Sequence, residues 1–412
     1  MRSTTRIVTT ASAVVLFATS TLTTAFGAQT RDENTLPAVP LATWQTDGIV
    51  WSVTYAHGVV YVRGTFDNVR PPGAAPGEKD VARKNFAAFD AVTGKLLPCA
   101  HSFTQGEGTV RTLKATRDGR VLYADGSFGK VEHTRVASAV ALNTADCSLR
   151  GDFRPAVAGP VRAIEPTDTA VYLGGGDFTV VDGKTRKRIA SFRRNGALLP
   201  FRADIDEPVR VILVVPDRAR VTVGGDFHHV SGKPDQSLAR LNSTTGSTVT
   251  SFPDWLPERS SVTSPARTGN RFHLGAQGKG TGNFDSRIAG RLPDGKMIWK
   301  DTCLGATRAV VVYKGVLYSA SHAYYCGQTP GGWFPDTDDG IGERIGPRAL
   351  VMAGKVPRAA PQTAPPLMGE TSRAGKATLT WRAAWDRDNV ELTYLLYRDG
   401  VLVVTPKQRS AE

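Results

Sequence analysis

One short element returns four times along the chain: GTFDNV at 64–69, GSFGKV at 126–131, GDFTVV at 176–181 and GDFHHV at 225–230. A β-branched run precedes each copy (VVYV 59–62, RVLY 120–123, AVYL 170–173, RVTV 220–223). Before that run comes another containing a valine (IVWSV 49–53, TVRTL 109–113, PVRAI 160–164, PVRVI 208–212). These valines, Val50, Val110, Val161 and Val209, lie 60, 51 and 48 residues apart. A third run follows the glycine element (FAAFD 86–90, SAVALN 138–143, RIASF 188–192, SLARLN 237–242, RIAGRL 287–292). A more variable fourth run closes the unit, as in KLLPC 95–99 and KMIWK 296–300. Weaker copies at 262–278 and 307–321 bring the count to six units.

Four short strands per unit cannot bury both faces of one sheet. Stacking the units side by side buries them and protects the edges. The pattern therefore predicts an all-β chain folded as a six-bladed β-propeller, with a seventh, degenerate blade as the alternative count. A β-sandwich also has many short strands, but nothing in it requires a period of ~50 residues. Gly (42) and Pro (25) are plentiful, which is turn chemistry, so very little helix is expected. The glycines should end the second strand where side-chain room is scarce or φ is positive. Phe66, Phe128, Phe178 and Phe227 should pack between neighbouring sheets. No Lys-Ser/Thr and no helix follow the glycines, which argues against a phosphate cradle.

Closure is predicted from the chain ends. The sixth unit offers a third strand, RALVM at 348–352, and then runs into KVPRAAPQTAPP. The segment around Leu41–Trp44 precedes the first unit as a fourth strand would, and is expected to pair with Arg348–Met352. That pairing would add ladder hydrogen bonds and remove an exposed edge.

The succession V-R-x-L, V-Y-x-G-G-D-F and L-A-x-L-N/D-x-x-T-G resembles the delta-sixty type of β-propeller repeat in secreted actinobacterial proteins. The resemblance covers roughly 40–355 and implies an exported propeller, often joined to further β domains. AFDAVTGKLL (88–97) and RLNSTTGSTV (240–249) are also similar to a quinoprotein blade motif. The docking Trp of that motif is replaced by Pro98 and Thr250, and only Trp299 resembles it, so the motif is read as strand–turn–strand geometry. KATLTWRAAWDRDNVELTYLLYRDG (376–400) resembles the early strands of a fibronectin type III domain, with Trp381 and Tyr394 as core partners. Such a sandwich needs about 90–100 residues, and the chain supplies only a part. The expected organisation is a signal peptide at 1–28, a propeller at 37–356, a linker at 357–366 and a partial, incomplete β-sandwich at 367–412.

The signal-peptide reading rests on Arg2 and Arg6, an apolar Thr-rich stretch and the small-x-small site Ala25-Phe26-Gly27. An uncleaved anchor is its alternative; after cleavage no membrane association is expected. Export places Cys99, Cys147, Cys303 and Cys326 in an oxidising compartment, which suggests two disulfides. Proximity favours Cys99–Cys147 and Cys303–Cys326 among three pairings. Lys and Arg exceed Asp and Glu by 51 − 38 = 13. The charges are spread along the chain, and the densest cluster, KTRKR at 184–188, falls in a turn. A solvated basic surface, able to attract acidic wall polymers, fits better than nucleic-acid binding.

The longest atypical insertion, 327–346, displays Trp333, Phe334, Asp336, Asp338 and Asp339, a grouping suited to gripping a sugar face. No cofactor is expected. Calcium is the exception left open at 336–340, where Glu343 comes too soon for a standard loop. His228 and His229 are adjacent and point to opposite faces, a poor chelate. No Ser/His/Asp constellation carries catalysis. The expectation is a secreted, monomeric, non-catalytic binding or scaffold protein for cell-wall or extracellular glycans or protein partners. A carbohydrate-active enzyme with its site at one mouth of the ring is the alternative.

Overall fold

The computed structural model describes residues 42–321 apart from 253–254, 279–282, 302 and 314, and thereafter the backbone of short strands between 325 and 411. The predicted signal peptide, and the start of the propeller at 37, lie outside the described residues. So does the whole 327–346 insertion, including Trp333, Phe334, Asp336, Asp338 and Asp339.

Six antiparallel sheets succeed one another in chain order. Their first strands are Ile49–Ala56, Thr109–Ala115, Val161–Pro166, Val209–Val215, Ser260–Thr268 and Thr307–Tyr313. Their second strands are Val59–Thr65, Val121–Ser127, Ala170–Gly175, Arg220–Gly225, Arg271–Gly278 and Val316–Ser321. Third strands follow at Phe86–Asp90, Ala139–Asn143, Ile189–Arg193, Leu238–Asn242, Arg287–Arg291 and Leu350–Ala353. Among the described residues the only helical turn is the 3-10 segment Pro216–Arg218. Among the described residues the fourth strand is full only at Thr248–Ser251 and Met297–Lys300. In the first three units it shrinks to the isolated bridges Phe89–Leu96, Leu142–Leu149 and Phe192–Leu198. Pro98 and Pro200, which lack an N–H, stop the ladder in the first and third.

The predicted pairing of the segment around Leu41–Trp44 with Arg348–Met352 falls partly on Leu41, Arg348 and Ala349, which lie outside the described residues. Leu350 and Val351 pair with Pro361 and Ala360, so part of the predicted linker serves as the sixth sheet's fourth strand. Residues 42–44 form no strand, and Gln45–Thr46 pairs with Val69–Arg70 of its own unit. The reason is local. The Asp47 carboxylate accepts from the amides of Asp67 (2.9 Å) and Asn68 (3.0 Å), and Trp44 lies 6.0 Å from the Phe89 ring. Asp206 does the same in the fourth unit, accepting from the amides of His228 (3.0 Å) and His229 (2.9 Å). Gln45–Thr46 is thus a lead-in to the first unit.

The glycines are explained by close approach rather than by positive φ. In every unit the first strand carries a β-bulge near its start. A Cβ on Gly64, Gly126, Gly175 or Gly225 would meet the carbonyl oxygen just before that bulge, at 1.8, 2.1, 2.7 and 2.1 Å. The glycine one position earlier faces the next sheet instead. A Cβ on Gly174 would stand 2.7 Å from Val209, and one on Gly224 2.7 Å from Val262. Glycine here sets how closely consecutive sheets stack.

Three of the four phenylalanines fall between sheets as expected, and Phe66 does not. Phe128 packs between the first and second sheets, Phe178 between the second and third, and Phe227 between the third and fourth. The fifth unit lacks the Gly-Asp-Phe element, and its interface with the fourth draws on Phe252, Trp255, Leu256 and Phe284. Phe66 shares a smaller cluster with Trp44 and Phe89, on the first sheet's outer face.

The disulfide Cys99–Cys147 links the loops after the first two sheets, with the Cα atoms 5.5 Å apart. Cys303 is also disulfide-bonded, and its register partner across a short antiparallel pair is Cys326. Beyond the sixth sheet, Leu367–Arg373 and Lys376–Trp381 form an antiparallel hairpin, and Leu396–Arg398 pairs with Val401–Val404.

Candidate functional site

Adjacent first strands lie side by side and hydrogen-bond through the residue after the bulge or the bulge itself. Ser52 accepts from the amide of Leu113 (3.2 Å), Thr112 donates to the carbonyl of Arg162 (3.0 Å), and Ser264 accepts from the amide of Val310 (3.1 Å). The first strands are therefore the inner members of the sheets. A bulge leaves one residue out of the ladder and re-aims its side chain. The bulged residues are Trp51, Arg111, Arg162, Arg210, Thr263 and Arg308, one per sheet.

Four of these six are arginine, and three of the four are consecutive. What holds each differs. Arg210 donates from Nε to Asp226 Oδ1 at 2.7 Å. Arg111 reaches Glu107 at 3.2 Å, Arg308 donates to Gln277 of the preceding sheet, and Trp51 Nε1 donates to Thr65 at 3.0 Å. Arg162, between Arg111 and Arg210, makes no side-chain hydrogen bond or ion pair to any described residue, and its Nε is buried without a partner. The amide of Asp226 donates to Pro208, and in the third unit that position belongs to Gly176, whose amide donates to Pro160. The carboxylate that would hold Arg162 is thus replaced by hydrogen. Burial lowers the pKa of Arg162 first, and the charges of Arg210 and Arg111 lower it further, against the pull of Asp226 and Asp177. Guanidinium remains protonated at neutral pH, so the row supplies fixed positive charge and N–H donors rather than proton transfer.

Beside the row Arg63 and Asp125 are buried together, with Arg63 donating to the Asp125 backbone carbonyl at 3.4 Å while Arg63 Nε and Nη2 and Asp125 Oδ2 are without a hydrogen-bond partner. Arg63 and Asp125 occupy the positions held by Gly174 and Gly224 in later units. Burial raises the Asp125 carboxyl, and the nearby Arg63 guanidinium pulls it back. Asp125 accepts from the amide of Thr112 at 3.0 Å, and both side chains are fully buried. A perturbed carboxyl is a familiar mark of an active site, but this one is closed in between the first two sheets.

The sequence-predicted site residues Trp333, Phe334, Asp336, Asp338 and Asp339, with the calcium-like stretch 336–340, lie outside the described residues. His229 is held by Asp206, Nδ1 to Oδ2, at 2.8 Å. No cluster of three or more metal-ligating side chains occurs among the described residues. No helix among the described residues is long and apolar enough to cross a membrane. In the 184–188 turn, Lys184 and Lys187 are exposed, while Arg188 turns inward to the carbonyls of Gly176 (3.0 Å) and Ile205 (2.8 Å). The inner arginines were missed by sequence reasoning, although their signal was in view. Val-Arg recurs at 110–111, 161–162 and 209–210, an odd place for a charge in a strand so otherwise apolar.

The chain has no match among the curated proteins compared with it. The crystal structure of the computationally designed Ika8 protein is similar at 13% sequence identity, with a TM-score of 0.44, over 80% of this chain and 92% of that chain. A family profile described as "Domain of unknown function (DUF5122) beta-propeller" matches residues 220–252, the second to fourth strands of the fourth sheet. Successive antiparallel sheets stacked through their inner strands, with a propeller-family match on one of them, make this an all-β propeller chain.

Proposed function

We propose that this chain is an exported, non-catalytic binding protein that holds an extracellular ligand, a glycan or another protein, at the inner ends of its sheets. The carrying observation is that one bulge recurs in all six first strands and presents a side chain each time. Those side chains are four arginines, a tryptophan and a threonine, groups that grip rather than shuttle protons. The Cys99–Cys147 bond supports an oxidising compartment. The 327–346 insertion, with Trp333 and its aspartates, would add a second contact surface. Immobilised extracellular glycans incubated with the purified protein test the reading. Retention without release of soluble product is expected, and release of product on continued incubation would replace it with the enzymatic alternative.

A further inference from the structure

The basic row is uneven, and its unevenness points to one position. Arg111 and Arg210 each have a carboxylate within 3.2 and 2.7 Å. Arg162 stands between them with none, and a Cβ on Gly176 would lie 3.2 Å from its Nε, 3.6 Å from Nη2 and 3.7 Å from Cζ. The missing side chain at 176 leaves that flank of the guanidinium uncovered. A half-buried guanidinium flanked by two others, and lacking a partner among the described residues, is poorly satisfied by itself. Buried charges are ordinarily paired, and the partner that completes this one is anionic.

We propose that Arg162, with Arg111 and Arg210 on either side, is an oxyanion-binding site for a carboxylate- or phosphate-bearing glycan polymer. This rests on the binding reading above and deepens it by naming the ligand class. The guanidinium fork suits both oxyanions, since each offers two oxygens to parallel N–H donors. The consecutive arginines favour a polymer with charges in series over a single small anion. The exposed lysines of the 184–188 turn are the competing explanation for any attraction to polyanions, and they separate cleanly by mutation.

The test is titration of the full chain with polygalacturonate, with a phosphomannan and with neutral dextran. Binding of one or both charged polymers is expected, and the stronger one identifies the oxyanion. Arg162→Gln should weaken that binding about tenfold or more, as loss of a charge-assisted hydrogen bond does. Gly176→Ala, which leaves every charge in place, should weaken it severalfold by crowding the guanidinium, and serves if Arg162→Gln does not fold. Lys184→Gln with Lys187→Gln should leave it within about twofold, since exposed charges contribute little individually. The site is overturned if charged-polymer binding survives both Arg162→Gln and Gly176→Ala in folded protein, or follows the two lysines, or equals that of dextran. Retention of polymers under any of those results would still uphold the binding reading. Product release with Arg162 dependence would do the reverse.

Discussion

The fourth sheet and the first present the same side of the same strand, and only one of them is covered by described residues. On the fourth, Val209, Ile212 and Val214 point back toward the third sheet and are 0%, 3% and 8% exposed. Their register equivalents on the first, Val50, Val53 and Tyr55, are 39%, 59% and 64% exposed. The opposite end matches this: Val311 on the sixth sheet is also exposed. Both sheets carry the same apolar alternation, so the difference arises from what stands next to them. A repeat unit buries only the face its neighbour covers. The interior of the stack therefore owes its stability to inter-sheet packing, whereas the first sheet's outer face relies on the small cluster of Phe66, Trp44 and Phe89.

That contrast can be broken at its strong end. Phe227→Ala should destabilise the chain by about 3–5 kcal/mol, as truncation of a fully buried aromatic does, read by denaturant unfolding. A loss of under about 1 kcal/mol there would mean the third and fourth sheets are not packed as described.

A second probe lies in the fifth sheet. His273 is buried beside Trp299, and burial, reinforced by Arg271, lowers its pKa from 6.5 to about 4. Between those values the unfolded chain binds the proton and the folded one does not, so stability rises with pH across this window. The contribution is complete above pH 6.5 and is lost as pH falls toward 4, amounting to about 3 kcal/mol. Thermal unfolding at pH 4.5 and 7.5 should show it, and His273→Phe should flatten the difference. An unchanged slope in that variant would place the acid sensitivity elsewhere.

The smallest effect is the sharpest for the comparison. Val53→Ala should cost under about 0.5 kcal/mol if that face stays open. A cost near 2 kcal/mol would show a covering partner and hence a closed ring.

Much of the fold was legible because its signals are periodic. The three regular strands of each unit, the turn chemistry and the inter-sheet phenylalanines all follow from local pattern. The lead-in role of Gln45–Thr46 was not legible, because it depends on Asp47 meeting amides twenty residues away. Nor was the part of Ala360–Pro361 in the sixth sheet, since a Pro/Ala-rich stretch gives no strand signal. The inner row was half legible. Val-Arg repeats were in the sequence, but a one-residue bulge decides which side chain leaves the ladder, and composition does not encode it.

By itself the amino-acid sequence determined that the chain builds like units of short strands, because alternation, glycine placement and turn residues act within a few positions of one another. Only the tertiary structure decided which glycine meets a carbonyl and which a neighbouring valine, and which arginine of the inner row has no carboxylate beside it. Those outcomes depend on distances between backbones far apart in sequence, as Gly174 is from Val209 and Gly224 from Val262, where a single ångström separates a contact from a clash.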